Sequence, residues 1–222
     1  YQKKSDKQHV LDNPDTYIGS IENVGNNTYI YDMQENKIKE KTINYIPGLY
    51  KLFDEGIVNC RDHEVRLRQA IENKKENILP VTYIDIHIND DDSITMINDG
   101  NGIDIAKHPE YDTWIPEMIF GHLRTSTNYN KDEKRIVGGK NGYGAKLANI
   151  FSQTFTIETV DHINGLKYTQ VWEKNMTVCN KPVIKKCSAK PYTKITWKCD
   201  FNRFGLQKYS DDMINLMYRR IY

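Results

Sequence analysis

The chain opens with about 20 residues of little hydrophobic periodicity that include Pro14 and Gly19, which predicts an extended arm ending in a turn. Two alternating stretches follow, TYIYD (28–32) and KTINYI (41–46), on either side of a polar run around Gln34 to Glu40. They read as a hairpin. Pro47-Gly48 then stops the second strand and opens a helix, since proline is favoured in a helix's first turn. The helix is expected from about Leu49 to at least Asp62. Leu49, Phe53, Ile57 (with Gly56) and Cys60 recur at three- and four-residue steps as an apolar stripe. Glu55, Asn59 and Asp62 fall at i, i+4 and i+7 and form a polar stripe beside it. The charge-rich run from Arg66 to Glu76 reads as a solvated helix end and loop.

Farther on, VTYIDIHI (81–88) and SITMIND (93–99) alternate as two strands joined by the turn NDDD (89–92). Pro109 and Pro116 bracket a short segment leading into PEMIFGHL. Gly142 to Phe151 predicts a helix packed through Ala145, Leu147, Ala148 and Ile150. Three more strand candidates follow: TFTIET (154–159), LKYTQVWE (166–173) and TKITWKC (193–199). The last stretch, YSDDMINLMYRRIY, is helical in pattern up to Tyr222, as expected of a domain cut from a longer protein. With no internal repeat and no low-complexity linker, the expectation is one domain over 21–222 preceded by an arm over 1–20. The mixture of strands and helices predicts an α/β or α+β domain. Because β and α do not alternate regularly, a mixed sheet with helices on one face is preferred to a doubly wound parallel sheet.

Composition narrows the function classes. The 31 Lys and Arg residues less the 30 Asp and Glu leave a net charge of +1, with a pI near 7.8. Such a balance gives no global electrostatic case for gripping DNA or an acidic membrane. No apolar run reaches the ~18 residues of a membrane span, and the polar opening YQKKSDKQH predicts no secretory signal. Cys60, Cys179, Cys187 and Cys199 lack zinc-type spacing, so they are expected as thiols in a reducing compartment. The sequons at Asn26 and Asn175 read as chance matches in a protein that is not exported.

Three stretches carry candidate chemistry. On a helix, Glu55 and Asn59 lie one turn apart on one face. The carboxylate can take a proton from a water attacking a phosphoryl group, and the amide oxygen can ligate Mg²⁺; the same pair equally suits the solvated face of an amphipathic helix. In NDGNGI (98–103), Asp99 ends a strand, and Gly100 and Gly102 let the backbone turn and a ligand approach. Asp99 could accept a hydrogen bond from an exocyclic amine, although Asn, Asp and Gly also dominate ordinary turns. In GGKNGYGAK (138–146), glycines at 138, 139, 142 and 144 run into a helix, so free N–H groups can face an anion near Lys140 and Lys146. A flexible surface loop is the competing reading. The spacing is neither a P-loop nor a dinucleotide fingerprint. Ser126, Thr127 and Asn128, upstream, can donate to a ribose or phosphate or serve as loop residues.

Taken in order, the acid–amide helix, the D-G-x-G turn and the G-x-x-G-x-G loop (Gly139, Gly142, Gly144) resemble the GHKL ATPase superfamily, which shares the Bergerat fold. YQKK (1–4), PDTYIGS (14–20), PGLYK (47–51), FDE (53–55), IFG (119–121), TSTNY (125–129) and GGKNGYGAKL (138–147) are similar to the N-terminal ATPase domain of eukaryotic-type type II DNA topoisomerases. These segments span the first two-thirds of the chain; the final third fits more weakly. The resemblance implies an α+β two-layer sandwich with a mostly antiparallel sheet. It implies ATP and Mg²⁺ as ligands, Glu55 as general base and Asn59 as metal ligand. Asp62, Asp99, Gly102 and Ile103 would lie on the nucleotide. Asp99 would take the adenine position, where the closest relatives typically have asparagine and the wider superfamily aspartate.

Ser126, Thr127 and Asn128 would line the ribose and phosphates, and Gly139, Lys140, Asn141, Gly142, Tyr143, Gly144, Ala145 and Lys146 would wrap the triphosphate. Tyr1 and the arm would cross to a second protomer, giving an ATP-induced homodimer that captures a DNA duplex in the full-length protein. This stretch alone would bind DNA weakly or not at all. Gly56 departs from the family's larger apolar residue, which predicts a less rigid helix. The transducer domain, which supplies a lysine to the phosphates, and the DNA-cleavage domain are absent from this chain, so poor hydrolysis is expected of it alone. The location implied is intracellular: the nucleus for a cellular eukaryote, host cytoplasm or virion for a virus. The other readings are a mismatch-repair or chaperone-type GHKL ATPase, which PDTYIGS and GGKNGYGAK argue against, and a nucleotide-dependent dimerisation module without turnover.

Overall fold

In chain order the elements are α1 (Asp6–Asp12), α2 (Pro14–Tyr17), β1 (Val24–Asp32), β2 (Lys37–Tyr45), α3 (Pro47–Glu72), β3 (Ile84–Ile88), β4 (Ser93–Asn98), α4 (Ile115–Gly121), α5 (Gly144–Ile150), β5 (Ser152–Asp161), β6 (Leu166–Glu173), β7 (Val178–Cys179), β8 (Val183–Lys186), β9 (Tyr192–Cys199), a 3₁₀ turn (Phe201–Phe204) and α6 (Asp211–Ile221). This computed structural model describes residues 5–123 and 144–222. The chain forms two compact units, Tyr1–Glu55 with Asp200–Tyr222, and Gly56–Cys199. Helix α3 begins in the first unit and ends in the second.

In the first unit, β1 and β2 pair antiparallel in the register Val24↔Tyr45 to Asp32↔Lys37. Ile30 and Ile43 are buried against Leu216 of α6, with Tyr45 and Tyr50 packed around them. Ser210 caps α6 by accepting from Met213 N. The arm is helical rather than extended over 6–12: Ser5 accepts from Gln8 N as an N-cap, and Asp6 sits in the positive first turn. The helix stops before Pro14, as the restricted residue ahead of a proline demands.

The second unit is a seven-stranded sheet in the order β3-β4-β9-β5-β6-β7, with β8 also paired to β6. Every pairing among the described residues is antiparallel. Cross-strand partners share a face, which places Ile94, Trp197, Phe155 and Trp172 in one row and Met96, Ile195, Ile157 and Gln170 in the next. Helices cover this face. A Cβ on Gly56 of α3 would come 2.6 Å from Met96 Sδ, and one on Gly121 of α4 would come 2.8 Å from Trp172 Cζ2.

Helix α3 runs ten residues beyond Asp62. The charged stretch stays helical because Glu64 pairs with both Arg61 and Arg68, while Val65 and Leu67 are buried. The buried member of the apolar stripe at its middle is Gly56, not Ile57. Among the described residues no helix is long and apolar enough to cross a membrane.

Candidate functional site

Along β4 the side chains alternate, and Ile94, Met96 and Asn98 are all buried on the helix-covered face. Opposite them on β9 stand Trp197, Ile195 and Thr193, and Thr159 of β5 lies opposite Thr193. One face of the sheet thus grades from large apolar side chains to a polar end formed by Asn98, Thr193 and Thr159. Asn98 is only 4% exposed, and its Nδ2 donates to the Asp99 carbonyl at 2.8 Å.

Asp99 behaves differently from the sequence expectation. Its carboxylate accepts from Thr82 N at 2.7 Å, from Thr82 Oγ1, and from Tyr83 N at 3.1 Å. Burial works to raise its pKa, but these hydrogen bonds outweigh it and hold the carboxyl below the usual range. The acid is consumed by the protein's own backbone, and the polar group on the covered face is Asn98, one residue earlier. Side-chain direction reverses at each strand position. Carrying the Ile94, Met96 alternation one step further would have pointed to Asn98.

After Asn98 the chain turns tightly. Gly100 has φ 86°, in the left-handed region open to glycine. Gly102 lies so close to β5 that a Cβ would sit 1.9 Å from the Val160 carbonyl oxygen. Ile103 N donates to Thr159 Oγ1 at 2.9 Å, and that hydroxyl donates to the Tyr192 carbonyl at 2.9 Å. Ile105 N donates to Asp161 Oδ2 at 3.0 Å. Asn101 accepts from Leu79 N at 2.7 Å through Oδ1, and its own carbonyl lies 2.8 Å from His63 Nε2.

On α3, Asn59 and Asp62 are half-buried in the second unit, next to the Gly56 close approach. Glu55 closes the first unit. Its carboxylate is 2.7 Å from Lys51 Nζ one turn earlier, and its side chain is 18% exposed. Burial opposes the charge on Lys51, but the Glu55 carboxylate prevails and raises the pKa of that amine. Asp54, beside Glu55, pairs with Arg220 Nε at 2.7 Å.

Gly144 and Ala145 open α5 and are half-buried, whereas Lys146 is 2% exposed. Burial lowers the pKa of Lys146 to about 8. An amine in so dry a place gains most from a nearby anion. Asn149, one turn on, donates from Nδ2 to the Phe120 carbonyl at 3.0 Å and so ties α5 to α4. Tyr1, Ser126, Thr127, Asn128, Gly139, Lys140, Asn141, Gly142 and Tyr143 lie outside the described residues. Among the described residues there is no group of three or more His, Cys, Asp or Glu side chains able to hold a metal ion.

Comparison with known proteins identifies the frame. DNA topoisomerase 2 of Candida glabrata is 46% identical over 224 residues, covering all of this chain and 15% of the relative. That of Acanthamoeba polyphaga mimivirus is 46% identical over 226 residues, covering all of this chain and 17% of the relative. The crystal structure of the ATPase region of Saccharomyces cerevisiae topoisomerase II superposes with a TM-score of 0.91 at 45% identity, over all of this chain and 56% of that one. The chain belongs to the eukaryotic-type type II DNA topoisomerase family, in its N-terminal ATPase region. Its antiparallel sheet with helices on one face is the Bergerat fold of that region. No protein-family model matches the chain. The chain spans 15% and 17% of the length of the two curated topoisomerases. Within this topoisomerase fold the polar end of the covered sheet face, Asn98, Thr159 and Thr193, was not singled out from the sequence. Strand alternation was the signal for the first; the two threonines need the sheet register to be found.

Proposed function

We propose that this chain is the ATP-binding and hydrolysing gate module of a type II DNA topoisomerase, and that ATP brings two copies together to capture a DNA duplex. The observation that carries the reading is the match of the whole of this chain to 56% of a topoisomerase II ATPase-region structure. In this reading Asn98 meets the adenine, with Thr193 and Thr159 completing the polar end of the sheet. Gly102 brings the turn against β5, and the turn, with Ile103, lies beside the base. Lys146 and the stretch from Gly139 to Ala145 take the phosphates, and Ser126, Thr127 and Asn128 the ribose side.

Glu55 is the base: its carboxylate takes a proton from the water that attacks the terminal phosphorus. Lys51 holds that carboxylate in place. Asn59 is the Mg²⁺ ligand, and Asp62 lies on the same helical stripe. A single amide oxygen suits Mg²⁺, which keeps several waters and takes its other ligands from substrate phosphates. When bound, the ion neutralises charge developing on the phosphates. The arm with Tyr1 exchanges between protomers, and completion of the reaction draws on protein beyond this stretch.

The test uses a longer protein that includes the region following Tyr222. Glu55→Gln should lose turnover by at least ~100-fold, the scale of a general base, while a non-hydrolysable ATP analogue still binds and still doubles the mass in solution. Full turnover by Glu55→Gln overturns the base assignment. A mass that ignores the analogue overturns the gate.

A further inference from the structure

The turn that carries Asn98 and Gly102 is anchored by contacts that the nucleotide reading does not use. On α3, His63 places Nε2 2.8 Å from the Asn101 carbonyl oxygen, and its Nδ1 lies 3.3 Å from the Arg66 guanidinium. Asn101 extends the anchor: Oδ1 accepts from Leu79 N at 2.7 Å, and Nδ2 donates to the Asn77 carbonyl at 3.2 Å. A carbonyl only accepts and a guanidinium only donates. The two partners therefore demand one form of the ring, neutral, with its proton on Nε2 and its lone pair on Nδ1.

Burial holds the His63 pKa below the ordinary histidine value and Arg66 adds to the effect, against an opposing pull from the Asn101 carbonyl. Arg66 is the charged group acting on the ring, and Asp62 acts in turn on Arg66. Asp99, in the same turn, is committed to Thr82 and Tyr83.

We propose that His63 is a positioning residue, one that sets the Asn98–Gly102 turn against helix α3 and makes nucleotide affinity fall in mild acid. The inference rests on the nucleotide reading given above. A proton on Nδ1 leaves the bond to the Asn101 carbonyl intact but turns the acceptor facing Arg66 into a second cation. Ring and guanidinium separate, and because the ring keeps its hold on the Asn101 carbonyl, its displacement shifts the turn bearing Asn98 and Gly102 relative to the helix face bearing Asn59 and Asp62. The sign follows from the neutral ring that the Asn101 carbonyl and the Arg66 guanidinium together demand. The neutral ring is the resting form near neutrality, so binding is full there and is lost as pH falls below the ordinary histidine range.

The experiment measures the affinity of a non-hydrolysable ATP analogue from about pH 7.5 to 5.5 for the wild type, His63→Gln and His63→Ala. Glutamine can donate to the Asn101 carbonyl and accept from Arg66, and it does not titrate in this range. The analogue's own phosphate titration is common to all three proteins and cancels in the comparison. Across the range the wild type should lose roughly three- to tenfold more affinity than His63→Gln, the scale of up to one pKa unit. His63→Ala should bind more weakly at every pH. Parallel curves for wild type and His63→Gln overturn the proposal, as does wild-type affinity for His63→Ala at pH 7.5. Failure of the nucleotide reading itself looks different: no variant binds the analogue at any pH.

Discussion

Replacing Gly102 with alanine asks the most of this fold for the smallest chemical change. The new Cβ would lie 1.9 Å from the Val160 carbonyl oxygen, 2.7 Å from its carbon and 2.9 Å from Thr159 Oγ1. Carbon and oxygen rest comfortably at about 3.3 Å or beyond, so something must retreat by more than an ångström. The obstacle is backbone, and Val160 is paired to Lys167 on one side and to Tyr192 on the other. The strand cannot yield, so the turn must. Moving the turn breaks the bonds from Ile103 N to Thr159 Oγ1 and from Ile105 N to Asp161 Oδ2. Two hydrogen bonds at about 1 kcal/mol each, added to an overpacking cost of about 1–3 kcal/mol, give a loss on the order of 3–5 kcal/mol. Urea denaturation should show a lower midpoint at an unchanged slope, and affinity for an ATP analogue should fall by more than about tenfold even where the variant is folded. A variant within about 0.5 kcal/mol of wild type, with its affinity intact, would refute the claim that this close approach shapes the turn.

Substitutions at Gly56, Met96, Asn98 and Asp99 probe the helix–sheet contact and the turn that follows β4. Gly56→Ala sets a helix-propensity gain of about 1 kcal/mol against Met96 Sδ at 2.6 Å; the flexible thioether can move, so the net change should stay within about 1 kcal/mol. In a Met96→Val background the same change should become clearly stabilising, and strictly additive effects in the double-mutant cycle would show that Met96 does not fill that space. Asn98→Ala should weaken nucleotide binding while leaving the Thr82 and Tyr83 contacts in place. Asp99→Ala should lower the unfolding free energy by about 1–3 kcal/mol through the lost charge-assisted bonds, and equal binding losses from both would refute the distinction drawn between them. Burial raises the Cys60 thiol to about 12 whereas Cys179 is exposed; a mild alkylating agent at pH 8 should therefore modify Cys179 in the native protein and Cys60 only in urea, as read by mass spectrometry.

Much of this was legible from residue spacing. The apolar steps from Leu49 to Cys60 marked α3, and period-two alternation found the strands that meet in the sheet. Reading failed where tertiary contacts override local pattern. The end of α3 looked like a solvated loop because its charges dominate, yet Glu64 bridges two arginines and Leu67 is buried. Strands β7 and β8 are short, two and four residues, and gain their pairing only from β6. Val81 to Tyr83 alternate like a strand, but Asp99 claims the Thr82 and Tyr83 amides. The glycine at position 56 looked like a weak point in a helix and lies where a Cβ would press on Met96 of the sheet. Family resemblance supplied the proposed roles of Glu55 and Asn59, which spacing alone left open.

The Asp99 clamp also bears on how the protein behaves in a crowded solution. Among the described residues strand β3 is an end strand of the sheet, and an unpaired edge invites another chain to add a strand. By taking the amides of Thr82 and Tyr83, Asp99 stops the ladder at Ile84 and leaves an edge of only five residues. Asp85 and His87 then place exposed polar side chains along that edge. Through these bonds the Asp99 carboxylate keeps the exposed edge short, and its removal is expected to raise light scattering of the concentrated protein.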